Sequence, residues 1–297
     1  MWRAVILVFV GKLVTGVDTL AQVKKQFTVE KNEQCNRVEL CLKAKTGNCF
    51  IRPSQNNELL NIYSNQNLEE YSHTFSNEVK DKTCIVKLAL DQETERGVGR
   101  KIQHHVFGGD EKPNEKFWKV YLTEALPYSL DLDYGLGNAN LDLAGLSVSK
   151  LKINTGSADV SVSYSSGEKN KVDMDTFFIK VDMGSLTARQ LNLTRSKFVL
   201  ADVGFGNMLL DFSDKPTMGH KIKGSVGAGN LIIYLPADEV PVIVKVSDSW
   251  LCSVHLSSSL KKIGENTFAN AAYSKHAKNV LTFDLDVSMG KIVFKEH

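Results

Sequence analysis

The chain has 297 residues, enough for one large all-β domain or two ordinary ones, and its 42% hydrophobic content is sufficient to bury a core, which excludes wholesale disorder. A formal net charge of +2 argues against both a nucleic-acid-binding face and an acidic scaffold.

The first residues differ in kind from the rest. Arg3 precedes the apolar run from Ala4 to Val10, and Thr19-Leu-Ala21 before Gln22 resembles a small-residue cleavage site. Residues 1–21 are therefore expected to be a signal peptide, interrupted by Lys12, with the mature protein beginning at or near Gln22. A buried N-terminal strand is the competing reading of the same run. No later run approaches the ~20 apolar residues of a membrane span, so the mature chain is expected to be soluble and exported. Cys35, Cys41, Cys49 and Cys84 cluster early, while Cys252 stands alone. The four could form two disulfides in any of three pairings, or stay as buried thiols. Their spacing does not match paired zinc knuckles.

From Gln22 to Gln92 the pattern is strand and turn. Val38 to Lys43 alternates, Lys45-Thr-Gly-Asn48 turns, and Cys49 to Ile51 alternates again, with Leu59 to Ile62 and Cys84 to Leu90 as further strands. Two glycine pairs, Pro113 and many charges mark an exposed, flexible insertion near 93–116. It contains His104-His105, which reads as a solvated pair rather than a chelate, because neighbours on a strand face opposite ways. Phe117 to Leu122 resumes the strand pattern.

An array then runs to the end of the chain. Asp202-Val-Gly-Phe-Gly-Asn207 and Ser225-Val-Gly-Ala-Gly-Asn230 state its unit: a polar residue, a glycine turn, then apolar residues at period two. Counted from the first turn glycine or its equivalent, rungs begin at Gly135, Gly156, Gly184, Gly204, Gly227 and Ser288, with degenerate rungs expected between Val242 and Asp286. Apolar stripes follow at Ala139, Leu141 and Leu143, at Val160, Val162 and Tyr164, and at Met208, Leu210 and Phe212. Leu231, Ile233 and Leu235 continue the stripe, Ile292 and Phe294 close it, and Leu191 and Leu193 hold the place in the Gly184 rung. Such a stripe buries itself only by stacking on its neighbours. The expected fold is all-β: one β-solenoid domain over 22–297, β-helix-like, of stacked rungs of about 20–23 residues. Phe268 to Lys278 is the best short helix candidate.

Two polar columns recur. Two residues before each first glycine stand Asp133, Asn154, Asp182, Asp202, Ser225 and Asp286, expected to cap the turn through its backbone N–H groups. A column of carboxylates that binds Ca²⁺, with Asp182 and Asp202 sharing the ion, is the rival reading. After the second glycine stand Asn48, Asn138, Asn207 and Asn230, with Asp159 in one rung; both residue types tolerate the left-handed backbone, and Gly206 is expected at positive φ.

The glycine turns with following asparagine, the phrase Leu231-Ile-Ile-Tyr-Leu-Pro236 and the closing Leu281 to Phe294 resemble the bacterial toast-rack β-solenoid domains. That family includes adhesin domains and the extracytoplasmic part of cell-wall-active-antibiotic-response proteins. The resemblance covers Phe117 to Lys295 well and Val38 to Ile62 more loosely, and it implies no catalytic residues. The chain lacks the transmembrane bundle of the membrane-anchored relatives.

Catalytic chemistry is not evident. Ile153-Asn-Thr-Gly-Ser157 resembles an aspartic-protease signature, but an amide at Asn154 cannot share the catalytic proton. There is no GxSxG elbow, Walker A loop or HExxH helix, and the glycine pairs lack the third glycine and helix of a dinucleotide fingerprint. Asp142 and Asp211 share a column, but three rung steps, about 14 Å, separate them. Trp118 and Trp250 suit packing at an end or seam. The outward set of Asp142, Ser163, Asp211 and Tyr234, with Asn192 in the shifted rung, is small and polar and suits repetitive contact.

The sequence is thus read as an exported, non-enzymatic, adhesin-like or structural interaction module of the bacterial envelope. No catalytic, cofactor-binding or metal-binding residue is assigned. The expected partner is a protein or polysaccharide of the envelope, with no nucleic acid and no cofactor. An envelope-stress sensing partner and a polysaccharide-active β-helix enzyme are the alternatives.

Overall fold

A computed structural model describes residues 23–66, 71–93 and 116–296. The leader read at 1–21, the bulk of the insertion read at 93–116 and the His104-His105 pair lie outside the described residues.

Period-two alternation makes strands wherever the stripes run. The first seven are β1 (Lys24–Val29), β2 (Arg37–Ser54), β3 (Leu60–Ser64), β4 (Tyr71–Lys80), β5 (Thr83–Glu93), β6 (Phe117–Thr123) and β7 (Tyr128–Asp142). Three two-armed rungs follow: β8 (Val148–Thr155) with β9 (Asp159–Ser163), β10 (Met174–Val181) with β11 (Ser185–Ala188), and β12 (Ser196–Val203) with β13 (Asn207–Asp211). A fourth joins β14 (His220–Val226) to β15 (Asn230–Leu235). The remainder is β16 (Val242–Asp248), β17 (Ser253–His255), β18 (Lys261–Gly264), β19 (Thr267–Ala269), β20 (Leu281–Val287) and β21 (Lys291–Glu296).

First arms pair in parallel into one wall, in the order β5, β2, β7, β8, β10, β12, β14, β20, β16. Second arms make the other wall: β6, β2, β7, β9, β11, β13, β15, β21, β17. β2 and β7 are long enough to run through the corner and serve both. The stripes from the two walls meet in one core, where the Phe283 ring packs edge-on against Phe212 at 5.7 Å and Phe294 at 5.6 Å. Each buried Leu, Ile or Phe adds about 1.5–3 kcal/mol, and only stacking provides that burial. The expected all-β stack is present.

Stacking order departs from chain order at both ends. β2 comes early in the chain but lies second in the stack, inside the rung that β5 and β6 form together. β20 and β21 come last in the chain but fill the slot between β14–β15 and β16–β17. The degenerate rung expected after Val242 is therefore real, and it sits outside the rung that ends the chain. Antiparallel strands close the ends: β4 covers β5, β3 covers β6 and is covered by β1, and β19 covers β16.

Two expectations fail in the array. Asp159 pairs with Ser185 and Lys180 with Asp202, so the buried stripe of that rung is Leu186 and Ala188, not Leu191 and Leu193. Leu191–Thr194 instead forms a 3-10 turn whose Leu191 and Asn192 are buried. The helix expected over Phe268 to Lys278 is absent. β19 ends at Ala269, and isolated turns follow, because the Asn270 side chain is committed to the backbone at Val240 and Val242. Asn170 likewise holds the backbone N–H and C=O of Val148 at the start of β8.

Candidate functional site

The outer face of the first wall carries a groove across five rungs, about 470 Å³ in volume. One bank is the column Phe178, Leu200, Lys223 and Asp284; the other is Asp202, Ser225, Asp286 and Ser247. The backbone of Ala201, Gly224 and Leu285 makes the floor. Gly224 takes an inward-facing place in this row, where a Cβ would meet Leu285 Cδ2 at 3.0 Å and Ala201 Cβ at 3.7 Å. Phe178 and Leu200 are half-buried, and Phe198 beside them is exposed with the Lys221 ammonium 5.8 Å from its ring centre. The sequence carried a signal for this bank. Thr176-Phe-Phe-Ile179 and Phe198-Val-Leu-Ala201 break the alternation, which places apolar side chains on the water side.

Register corrects the polar columns. Lys180, not Asp182, lies beside Asn154 and Asp202. Asp182 takes a corner position and pairs with Lys180 at 3.0 Å, a hydrogen bond that raises the lysine's pKa. Asp182 and Asp202 therefore do not share a rung-to-rung site for Ca²⁺. Turn capping by this column fails too, because the corner N–H groups reach the preceding rung: Gly204 N donates to Val181 O at 2.8 Å and Phe205 N to Asp182 O at 2.7 Å. Freed from capping, the column faces the groove, where Ser225 Oγ donates to Asp202 Oδ1 at 2.9 Å.

Gly206 does not sit at positive φ; of the stack's corner glycines, Gly47 and Gly137 do, at 102° and 117°. Its reason is contact. A Cβ on Gly206 would overlap the carbonyl oxygen of Gly184 and the Val181 side chain. The asparagines after it are not left-handed either. They form an amide ladder, in which Asn138 Nδ2 donates to Asn48 Oδ1 at 3.0 Å and Asn230 Nδ2 to Asn207 Oδ1 at 2.8 Å.

On the second wall Asp142 aligns with Ser163 and Asp211 with Tyr234, as read, but Asn192 is buried and Arg189 follows Ala188 into the outward place. Asp142 accepts from Ala144 N at 3.2 Å and Asp211 from Ser213 N at 2.9 Å, so both carboxylates cap local turns. Trp118 is packed in the core, and Trp250 is 90% exposed at the last corner of the stack. Of the four clustered cysteines, Cys35 and Cys84 are bonded. A second disulfide does not form, because Cys41 faces outward from the first wall while Cys49 is buried beneath the second, its thiol pushed up to about 12 by burial.

A family model described as the N-terminal domain of toast_rack, DUF2154, matches residues 18–184, more than half of the chain. No curated protein matches the sequence. Among solved structures, a Clostridium sporogenes protein named for cell adhesion aligns at 18% identity over 93% of this chain and all of its own, with a TM-score of 0.41. A Parabacteroides merdae protein named as an adhesin aligns at 12% identity over 92% of this chain and 95% of its own, TM-score 0.37. A Parabacteroides distasonis protein named for lipid binding aligns at 10% identity over 92% and 96%, TM-score 0.33. None of the three superposes closely enough to lend its role to this chain.

Proposed function

The chain belongs to the toast-rack family, and on that premise we propose that it is an exported, non-catalytic, adhesin-like module of the bacterial envelope that binds an extended polysaccharide along the groove of its first wall. The observation that carries this is the groove's two unlike banks. Phe178 and Leu200 make one end of the first bank apolar for the C–H faces of sugar rings, while Lys223 and Asp284 beyond them and Asp202, Ser225, Asp286 and Ser247 opposite offer polar groups to hydroxyls. The groove crosses the strands, over backbone already paired on both sides, so a peptide could not add there as a strand. Weak contacts repeated at each rung add along a polymer.

Export is supported by the leader-like order of residues 1–21 and by the Cys35–Cys84 disulfide, since such bonds persist in oxidising compartments. A non-catalytic role is supported by the groove's form. Asp202 and Asp286 are two rung steps apart and Asp284 stands two residues from Asp286 on β20, all on an open face that encloses none of the three. The test is titration of the protein with a panel of envelope polysaccharides. Binding that falls at least about tenfold in Phe178→Ser/Leu200→Ser, with no released sugar, is expected. Turnover lost in Asp286→Asn would replace the binding module with an enzyme.

A further inference from the structure

Every corner of the array is three residues long. Thr155 pairs with Val181 and Asp159 with Ser185, which sets residues 156–158 beside 182–184, and the same count holds up to 288–290. The middle residues of successive corners are Leu136, Ser157, Met183, Phe205, Ala228 and Met289. The corner beyond, residues 249–252 beside 288–290, has one residue more and throws out Trp250. This ridge is open to water: Leu136 is 59% exposed, Met183 67%, Phe205 75% and Met289 59%. Its backbone does not need water, since the corner N–H groups donate to the preceding rung, as Ala228 N does to Gly204 O and Met289 N to Gly227 O, both at 2.8 Å. A ridge of large apolar side chains over satisfied backbone can be covered at small polar cost.

We infer that the ridge is a homodimer contact, in which two copies meet antiparallel about a two-fold axis through Phe205. The order of sizes along the stack is large, small, large, large, small, large, large. Reversed about Phe205, it sets Ser157 against the partner's Met289, Met183 against the partner's Ala228, and Leu136 against the partner's Trp250. Each small residue then receives a large one, and Phe205 meets its own copy. Such self-complementarity is what an isologous interface requires.

A second column selects the same axis. Beside the ridge, on the second wall, run Asn138, Asp159, Ser185, Asn207, Asn230 and Lys291. Its charged members are Asp159 and Lys291, both exposed, two rungs to either side of Asn207. The axis through the Phe205 rung brings Asp159 opposite the partner's Lys291, twice over by symmetry. In a parallel pairing about an axis along the stack, this second-wall column would instead face the partner's first wall, and Asp159 and Lys291 would not meet. On the other flank the axis places Asp202 near its own copy, a like-charge contact that Lys180 of the adjacent rung offsets. Size and charge thus specify one register independently. The pairing does not depend on the groove, though it turns both grooves to the same side of the dimer.

The ridge from Leu136 to the Trp250 corner is six steps, about 29 Å, and one or two side chains wide, less than a standard interface. The dimer is therefore a weak one. Sedimentation equilibrium on the mature chain, up to about 0.5 mM, tests it. A monomer–dimer equilibrium is expected, weakened at least about thirtyfold by Phe205→Glu. Asp159→Lys and Lys291→Asp should each weaken it several-fold, and the double exchange should restore it, which no structural role of either residue would do. Far-UV circular dichroism confirms that each variant folds. A chain that stays monomeric, a dimer indifferent to Phe205→Glu, or a double exchange no better than the singles would overturn the inference. So would a monomer that co-floats with phosphatidylcholine vesicles through the ridge.

Discussion

From β7 to β15 the stack is built by neighbours in sequence, whereas at its two ends it is built by segments that are not. In the interior each rung lies on the one before in parallel pairing, and the Asn207–Asn230 amides bond across one of the steps. At the ends the chain overshoots, turns through antiparallel strands and comes back. β2 is enclosed between β5–β6 and β7, and β20–β21 between β14–β15 and β16–β17. A rung placed outermost would have one unpaired edge and so would fray first. Moved one slot inward, it is paired on both sides. The ends differ in closure. The N-terminal end is covered on both walls, by β4 and by β3 with β1, while the C-terminal end is covered by β19 on the first wall and leaves β17 as a three-residue edge on the second.

The strongest way to break this comparison is at the staple. Cys35–Cys84 joins the segment after β1 to the start of β5, and it closes 49 residues of chain. Cys252, at the other end, is free. On the chain-entropy account, Cys35→Ala/Cys84→Ala should cost about 4 kcal/mol in urea unfolding. Amide exchange should rise first in β4 and β5 and stay unchanged in β18 and β19. A loss below about 1 kcal/mol would mean that strand pairing alone holds the covered end.

Placing one substitution in both regions sharpens the contrast. Gly206→Ala in the interior forces a Cβ into the Gly184 carbonyl, and the stacked backbone has nowhere to move; about 3 kcal/mol is expected. At Gly264, in the C-terminal cap, the same Cβ would meet Thr267 Cβ at 3.6 Å, an ordinary contact. Gly264→Ala should fall within about 0.5 kcal/mol of the parent. Equal melting temperatures would remove close rung contact as the reason for the interior glycines.

The same contrast explains what could be read in the sequence. Val160, Met208 and Leu231 announce the interior because parallel stacking demands the same side-chain size at the same place in each rung. The Gly184 rung misleads by two residues, since Asp182 and Gly184 imitate a motif whose true register is Lys180 and Asp182. Only inter-rung pairing exposes the shift. Ends carry no such demand: β3, β4 and β19 pair antiparallel with one partner each on the covering side, and nothing in Leu60–Ser64 marks which strand it covers. The groove was half legible. Phe178 and Leu200 broke the alternation, but that they stand next to each other follows from β10–β12 register alone.

The smallest expected effect lies deepest in the interior, at His220. The first residue of β14 is fully buried, its ring 5.9 Å from that of Phe212, with Nδ1 donating to the Ser196 carbonyl at 2.7 Å. Nε2 is buried without a hydrogen-bond partner among the described residues, so a proton added there would have no acceptor. Burial lowers the pKa from the ordinary 6.5, against the smaller opposing pull of the Ser196 carbonyl. The sign follows. Above pH 6.5 the ring is neutral in both folded and unfolded chains and its contribution to stability is whole. As pH falls below 6.5 the unfolded chain takes the proton first, so stability declines until the folded pKa is reached and then levels. One proton limits the slope to about 1.4 kcal/mol per pH unit. Most carboxylates act at lower pH, which leaves the interval from about 6.5 to 5 to histidine. Urea midpoints measured across that interval should fall in the parent and stay level in His220→Asn, whose amide nitrogen can stand in for Nδ1 toward Ser196. The substitution would lower stability by a constant amount while flattening the acid limb. Parallel curves for the two proteins would place the acid-sensitive group outside the interior of the stack.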